Sequence, residues 1–192
     1  MPAETSAGRR PLGRLRAEAR SRLGRDRLAH VRRTASLAAR IARRCGLVPT
    51  AARRAAWLHD LAREMPPEEI DALAPGDGDS VLRHGRAAAA LAVGMGLEDD
   101  PGVLEAVREH TLGRPGMGPT ARALFAADAL DPGRKIRPAF RRAARRRLRA
   151  ADLDGLVALA IESTRTWLAT RGGSVHPLTA ALLAETGRDG KP

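Results

Sequence analysis

The chain has 192 residues, and the usual size of roughly 150 residues per domain predicts a single domain. A composition of 43% hydrophobic and 29% charged residues excludes a disordered, collagenous or low-complexity chain. The 34 basic and 22 acidic residues give a net charge of +12, but nearly all the bases are arginine, so we interpret the charge as compositional bias.

Apolar residues recur at intervals of three and four, which predicts an all-α protein, a helical bundle of about eight to ten helices. In chain order the predicted helices are Leu12–Leu23, Arg27–Cys45, Thr50–Arg63, Pro67–Leu73, Ser80–Met95, Pro101–Thr111, Pro119–Leu130, Pro138–Ala150, Leu153–Thr170 and Pro177–Glu185. Gly46 is the predicted cap that ends the second helix, and Asp100 with Pro101 is the predicted start of the sixth. We expect one domain at residues 11–187 between flexible tails at residues 1–10 and 188–192.

The sequence carries no signal for a membrane or an oxidising compartment. The longest apolar run, residues 87–97, is much shorter than the ~20 residues that cross a bilayer. The first 20 residues contain no apolar secretory core, and the single cysteine, Cys45, forms no intramolecular disulfide. We therefore expect a cytoplasmic protein without a membrane partner. Nucleic acid is not an expected partner either, because the aromatic residues that stack bases are scarce.

Five polar side chains interrupt the apolar faces of five predicted helices. They are His30, His59, His84, His110 and Asp128. Any one inward histidine is more often a core residue with a backbone partner than a ligand. A carboxylate on an apolar face is different, because its burial is costly unless it is paired or binds a cation.

The inward set can supply a metal site of mixed nitrogen and oxygen donors. Asp60 follows His59 directly, so the two side chains can surround one ion together with His30 and Asp128. Such a donor set suits iron, manganese or zinc better than copper.

The order of His30, His59-Asp60 and Asp128 along an all-helical chain resembles the HD superfamily of metal-dependent phosphohydrolases. Five segments narrow the resemblance to the YqeK family of bacterial symmetrical diadenosine tetraphosphate (Ap4A) hydrolases. They are RLAH at 27–30, AAWLHDLAR at 55–63, LRHG at 82–85, EHTLGRPGM at 109–117 and ADALDPGR at 127–134. The resemblance extends from about Leu12 to Glu185.

The resemblance implies an HD-type bundle that hydrolyses Ap4A to two ADP by means of a metal-bound hydroxide. It implies that one ion, iron in characterised relatives, is bound by His30, His59, Asp60 and Asp128, with manganese or zinc as alternatives. It further implies that the substrate phosphates meet Arg27, His30, Asp60, Arg63, His84, His110, Asp128 and Arg134. Asp60, His84 and His110 are the expected catalytic residues.

Two positions depart from the family pattern, and some roles stay open. Arg63 stands where the family commonly has lysine, and Asp131 stands where glutamate is usual, although both keep the charge. His84 and His110 either contact phosphate or donate a proton to the departing ADP oxygen, or they bind a second metal ion. His176 is assigned no function, and a homodimer is left open.

Three other functions compete with Ap4A hydrolysis. The same centre could act on a nucleoside mono- or diphosphate or on ppGpp, or bind a nucleotide without turnover. The net charge leaves a basic nucleic-acid-associated protein as a different class, which predicts binding with a steep salt dependence.

Overall fold

The computed structural model describes residues 12–76 and 79–187, except the side chain of Val81, and in these residues the chain forms ten α-helices and no β-strand. The helices are α1 (Leu12–Arg22), α2 (Arg25–Arg44), α3 (Pro49–Leu58), α4 (Pro67–Leu73), α5 (Ser80–Gly94), α6 (Pro101–Glu109), α7 (Pro119–Ala129), α8 (Pro138–Arg149), α9 (Leu153–Ala169) and α10 (Pro177–Glu185). The predicted all-α bundle is therefore confirmed. The tails predicted at residues 1–10 and 188–192 lie outside the described residues.

Helix starts and stops follow the local signals in the sequence. Six helices have proline in their first turn, where the missing N–H is not needed. The Asp100 side chain accepts hydrogen bonds from the N–H groups of Gly102 and Val103 at 2.9 and 3.1 Å, as predicted for the cap of α6. Gly46, with a φ of +69°, ends α2 as predicted.

The third helix is shorter than the sequence predicts. We predicted Thr50–Arg63, but α3 ends at Leu58 and the chain continues in tight turns, in which the Arg63 N–H donates to the Asp60 carbonyl at 2.9 Å. The Nδ1–H of His59 donates to the Ala56 carbonyl at 2.7 Å, an acceptor that a continued helix would use for the Asp60 N–H. The side chain of His59 thus competes with the backbone and brings Asp60 out of the helix.

The core is built largely from alanine, and this lets the helices pack closely. α2 packs against α3 and α7, α7 also contacts α6 and α9, and α5 lies beside α4 and α6. Larger side chains, led by Leu58, Leu124, Leu156 and Ile161, fill the remaining space between them. Small side chains shorten the distance between helix axes, so polar residues from several helices can meet in one place. In the described residues no helix is long and apolar enough to span a membrane.

A buried ion pair joins α3 to the segment that leads into α6. The Nε of Arg54 donates to Oε2 of Glu98 at 2.7 Å, and both residues are buried. Arg54 also pairs with Asp100, the cap of α6, at 3.2 Å. The other oxygen of Glu98 accepts from the backbone N–H groups of Asp99 and Asp100. This pair fixes the relative position of the two helices, α3 and α6, that directly precede His59 and His110.

Removal of one partner should therefore destabilise the fold. We expect Arg54→Ala to lower the free energy of unfolding by about 3–5 kcal/mol, because it leaves the Glu98 carboxylate buried without its cation. Urea denaturation measures this change. The matched control is Arg165→Ala, which removes an exposed pair with Glu162 and should cost less than about 0.5 kcal/mol. Equal losses in the two variants would contradict this role of Arg54.

Candidate metal centre

The predicted ligands come from separate helices and meet in one buried cluster. His30 lies in the second turn of α2, His84 lies in α5, and Asp128 lies in the last turn of α7. His59 and His110 occupy equivalent positions, directly after the last residues of α3 and α6. All four histidines are buried, and His59 is fully enclosed.

Hydrogen bonds from Nδ1 fix the orientation of three imidazole rings. His59 donates from Nδ1 to the Ala56 carbonyl at 2.7 Å, and His110 donates from Nδ1 to the Val107 carbonyl at 2.8 Å. Since a carbonyl can only accept, Nδ1 carries the proton in both rings. His30 is held in the same way by a carboxylate, with Nδ1 2.8 Å from Oδ2 of Asp131. In the neutral form of each ring, Nε2 therefore presents a lone pair to the interior.

Asp60 lies between two pairs of histidines and directs one carboxylate oxygen toward each. Its Oδ2 is 3.3 Å from Nε2 of His59 and 3.8 Å from Nε2 of His30. Its Oδ1 is 3.2 Å from Nε2 of His84 and 3.8 Å from Nε2 of His110. A carboxylate in this position can bridge two positive groups.

Asp128 lies beside the first of the two histidine pairs, formed by His30 and His59. Its Oδ1 lies 2.9 Å from Nε2 of His30 and 4.0 Å from Nε2 of His59, and the Arg134 guanidinium donates to the same oxygen at 2.7 Å. Sequence periodicity correctly predicted that Asp128 faces inward, although 16% of its side chain stays exposed at the cavity.

The second histidine pair, His84 and His110, depends on close packing between α5 and α6. Nε2 of His84 lies 3.0 Å from Nε2 of His110. Gly85 follows His84, and a Cβ atom at this position would lie 2.7 Å from the Val107 carbonyl and 3.0 Å from the His110 ring. Only glycine lets the two helices approach so closely without a shift.

Asp131 supports His30, a role that the sequence analysis did not assign. It is fully buried and accepts from the Nδ1–H of His30 and from the guanidinium of Arg33, at 2.8 and 2.9 Å. The Gly133 N–H donates to it at 3.0 Å. In the sequence, Asp131 stood out only because it keeps the charge of the usual glutamate. Its side-chain partners His30 and Arg33 lie in α2, about 100 residues earlier, so the local pattern gives no sign of them.

Burial and charge act in opposite directions on the pKa values of the cluster. Burial would raise the pKa of Asp60, but the neighbouring His59 and His84 hold it well below its usual range. Burial likewise opposes the charged form of His30, yet the carboxylates of Asp128 and Asp131 raise its pKa to about 9. For His110, burial and the adjacent His84 lower the pKa to about 3. The carboxylates beside His30 thus stabilise positive charge at this end of the cluster, and burial favours a neutral ring at His110.

The donor atoms fit a metal ion. Two sets of ligand atoms each lie within 4.8 Å of one another, namely His30, His59 and Asp128, and His59, Asp60 and His110. The buried Nε2 atoms of His30 and His59 have no hydrogen-bond partner of regular geometry in the described residues. Buried polar atoms without partners are costly, and a bound cation would satisfy both.

A cavity of about 630 Å³ opens onto the cluster and contains most of the predicted substrate residues. Asp60, His84, His110 and Asp128 line it together with Arg27, Arg63 and Arg134. His30, also predicted to meet the substrate, does not line this cavity but lines a neighbouring one of about 320 Å³, and the buried His59 lines neither. His176, to which the sequence gave no role, also lines the cavity, because the turn before α10 folds back over it.

The three predicted phosphate-binding arginines differ in their present contacts. Arg27 donates to Oδ2 of Asp60 at 3.0 Å, and Arg134 pairs with Asp128. Arg63 is half-buried and makes no ion pair within the described part of the chain. Arg63 is therefore the one of the three whose guanidinium is not already paired with a carboxylate of the described residues.

Comparison with known proteins places this geometry in a family. The family model described as "HD domain" matches residues 27–133, a span from Arg27 to Gly133 that contains His30, His59, Asp60 and Asp128. The chain is similar to a predicted HD superfamily hydrolase involved in NAD metabolism from Clostridium acetobutylicum, of known crystal structure. The TM-score is 0.80 at 26% identity, over 92% of this chain and 96% of that one.

Two curated relatives are named symmetrical bis(5'-nucleosyl)-tetraphosphatase. The protein from Bacillus subtilis is 28% identical over 168 residues, 83% of this chain and 89% of that relative. The protein from Halalkalibacterium halodurans is 32% identical over 104 residues, and this match spans 54% of each chain. The resemblance noted from the sequence motifs is thus confirmed at the level of the family.

The support that Asp131 gives to His30 is testable by metal affinity. We expect Asp131→Asn to weaken metal binding by about 10- to 100-fold, because the outer partner of a histidine ligand sets its orientation and basicity. Competition with a metal-binding dye measures this change.

The matched control for this variant is Asp154→Asn. Asp154 pairs with Arg122, and half of its side chain is exposed. We expect this variant to bind metal like the wild type. Unchanged affinity in Asp131→Asn would contradict the supporting role.

Proposed function

The chain belongs to the HD domain family, and from this premise we propose that it is a metal-dependent phosphohydrolase that cleaves Ap4A at its central anhydride into two ADP. The observation that carries this proposal is the position of the Asp60 carboxylate at the inner end of an arginine-lined cavity. Each of its two oxygens faces a different pair of histidines. The choice of Ap4A is supported by the names of the two curated relatives.

The first ion would be held by His30, His59, Asp60 and Asp128. Two imidazole nitrogens and two carboxylates make a donor set that accepts iron, manganese or zinc. We propose iron, the metal that the family resemblance implies. When bound there, the ion supplies Lewis acidity, which lowers the pKa of a coordinated water and polarises a phosphoryl oxygen.

A second ion would be held by His84 and His110 together with Asp60. The Nδ1–H of His110 is used by the Val107 carbonyl, so its Nε2 offers a lone pair toward His84 and Asp60. The two Nε2 atoms, 3.0 Å apart, both lie on the Oδ1 side of Asp60. This arrangement favours a ligand role for both histidines over direct phosphate contact.

The arginines provide the charge complementarity that a polyphosphate needs. Phosphoryl transfer depends mainly on positioning and on neutralising the charge on the equatorial oxygens. Arg63 can bind a phosphate directly, because it has no ion pair in the described residues. Arg27 and Arg134 offset the charges of Asp60 and Asp128, which would otherwise repel the substrate, and their guanidinium groups can also bind phosphate in a bidentate manner. The cytoplasmic location stays a prediction, and the homodimer stays open.

The reaction is tested by product analysis. Protein reconstituted with iron without oxygen should convert Ap4A to ADP as the sole product, as measured by anion-exchange chromatography. ATP with AMP would contradict cleavage at the central anhydride. Turnover of a deoxynucleoside monophosphate or ppGpp at a rate comparable to that of Ap4A would contradict the choice of substrate.

The role of Asp60 is tested in the same assay. We expect Asp60→Asn to lower kcat by more than about 100-fold, because the loss of a partner behind a ligand already costs about 10- to 100-fold. Asp154→Asn, at the surface, should keep the activity of the wild type. Full activity in Asp60→Asn would rule out the bridging role.

Binding of Ap4A without turnover in the wild type would support the nucleotide-binding scaffold instead.

A further inference from the structure

A second cavity, of about 480 Å³, adjoins the cavity at the metal centre. It lies between the segment after α7, the start of α8 and the C-terminal half of α9. The two cavities share Ala129, Arg134 and Thr164 in their walls. Arg134 donates to Asp128, so the shared wall begins at the metal centre itself.

The walls of this second cavity combine the chemistry that nucleotides require. Arg134, Lys135 and Arg137 supply positive charge on one side. Phe140 and Trp167 supply aromatic surface, and hydroxyl groups come from α9. Bound bases stack on aromatic side chains, while arginine and lysine bind phosphates, so a cavity with both kinds of group is suited to a nucleotide.

The side chain of Trp167 is exposed to solvent, whereas the large aromatic side chains of the core are buried. Trp57 and Phe125 are buried, whereas Trp167 is 53% exposed. The guanidinium of Arg171 lies 4.1 Å from the centroid of the indole ring, so a cation–π contact already holds one face. A large aromatic ring that is held from one side and open along a cavity wall can stack a base.

The chemistry of the proposed substrate requires a second nucleoside site. Ap4A carries an adenosine at each end, and the bond cleaved lies midway between them. When the central phosphates lie at the metal centre, the two adenosines must leave it in different directions. A third cavity of about 320 Å³ also contains Arg134, but its walls carry three carboxylates beside Arg27, Arg33 and His30, and no tryptophan or phenylalanine on which a base could stack.

We propose that the second cavity binds the distal nucleoside of a dinucleoside polyphosphate, with its base stacked on Trp167 and its phosphates passing Arg134. This proposal rests on the proposed function, which supplies the identity of the ligand. The first nucleoside then occupies the cavity of about 630 Å³ at the metal centre. The second cavity thus makes the enzyme selective for substrates with two nucleosides.

Kinetics with two substrates test this site in the holoenzyme. We expect Trp167→Ala to raise KM for Ap4A about tenfold, because stacking of a base is worth about 1–3 kcal/mol. The KM for adenosine 5′-tetraphosphate, which has one nucleoside, should not change. Trp167→Phe should restore most of the affinity for Ap4A.

The matched control is Val93→Ala, which shortens a similarly exposed apolar side chain on α5 and should leave both KM values unchanged. If Trp167→Ala keeps the KM of the wild type for Ap4A, or raises KM equally for both substrates, the proposal is overturned.

Tryptophan fluorescence separates this proposal from the proposed function. We expect Ap4A to quench the emission of the wild type, inorganic tripolyphosphate to leave it unchanged, and Trp167→Ala to lose the quenching. Quenching of this kind without hydrolysis would retain the site and reject the reaction. Hydrolysis without this quenching would reject the site alone, and the absence of both would reject both.

Discussion

Three buried imidazoles have Nδ1–H groups that are already bound to acceptors in the protein, and the geometry of the centre depends on this constraint. The Ala56 and Val107 carbonyls and the Asp131 carboxylate accept these protons. Each ring therefore directs its Nε2 lone pair inward, toward Asp60 and Asp128. Two of the bonds also coincide with the ends of α3 and α6, so the residues that orient the ligands also shape the helix ends that carry them.

The centre concentrates charge that the rest of the fold must compensate. Asp60, Asp128 and Asp131 are carboxylates in or beside the core, and unpaired burial of each would cost several kcal/mol. Arg27, Arg134 and Arg33 pair with them one by one. Arg33 also connects α2 to the segment after α7, and Arg27 connects α2 to the turns after α3. The guanidinium groups of Arg27 and Arg134 also line the cavity at the metal centre, where a polyphosphate would bind.

The sequence predicted the helices and most of the centre but missed features that depend on contacts distant in the chain. Periodicity was enough to place His30 and Asp128 on inward faces, because the helical repeat fixes which residues share a face. Periodicity predicted that α3 continues through Arg63, because Leu61 and Ala62 suit a helix. The apolar repeat contains no information that the His59 ring hydrogen-bonds to a backbone carbonyl that a continued helix would need. Nor could spacing show that Asp131 supports His30 or that His176 reaches the cavity. Those contacts exist only once α2, α7 and α10 have packed.

The most direct test of the metal centre is the iron content of protein purified without oxygen, measured by mass spectrometry. Asp60 contributes to both proposed sites, with one oxygen facing each pair of histidines. The wild type should carry two ions per chain, and Asp60→Ala should lose most of this iron, whereas His176→Ala should retain it. One ion per chain would leave the first site and remove the second. Wild-type protein that binds no iron, manganese or zinc, even after reconstitution, would contradict the account.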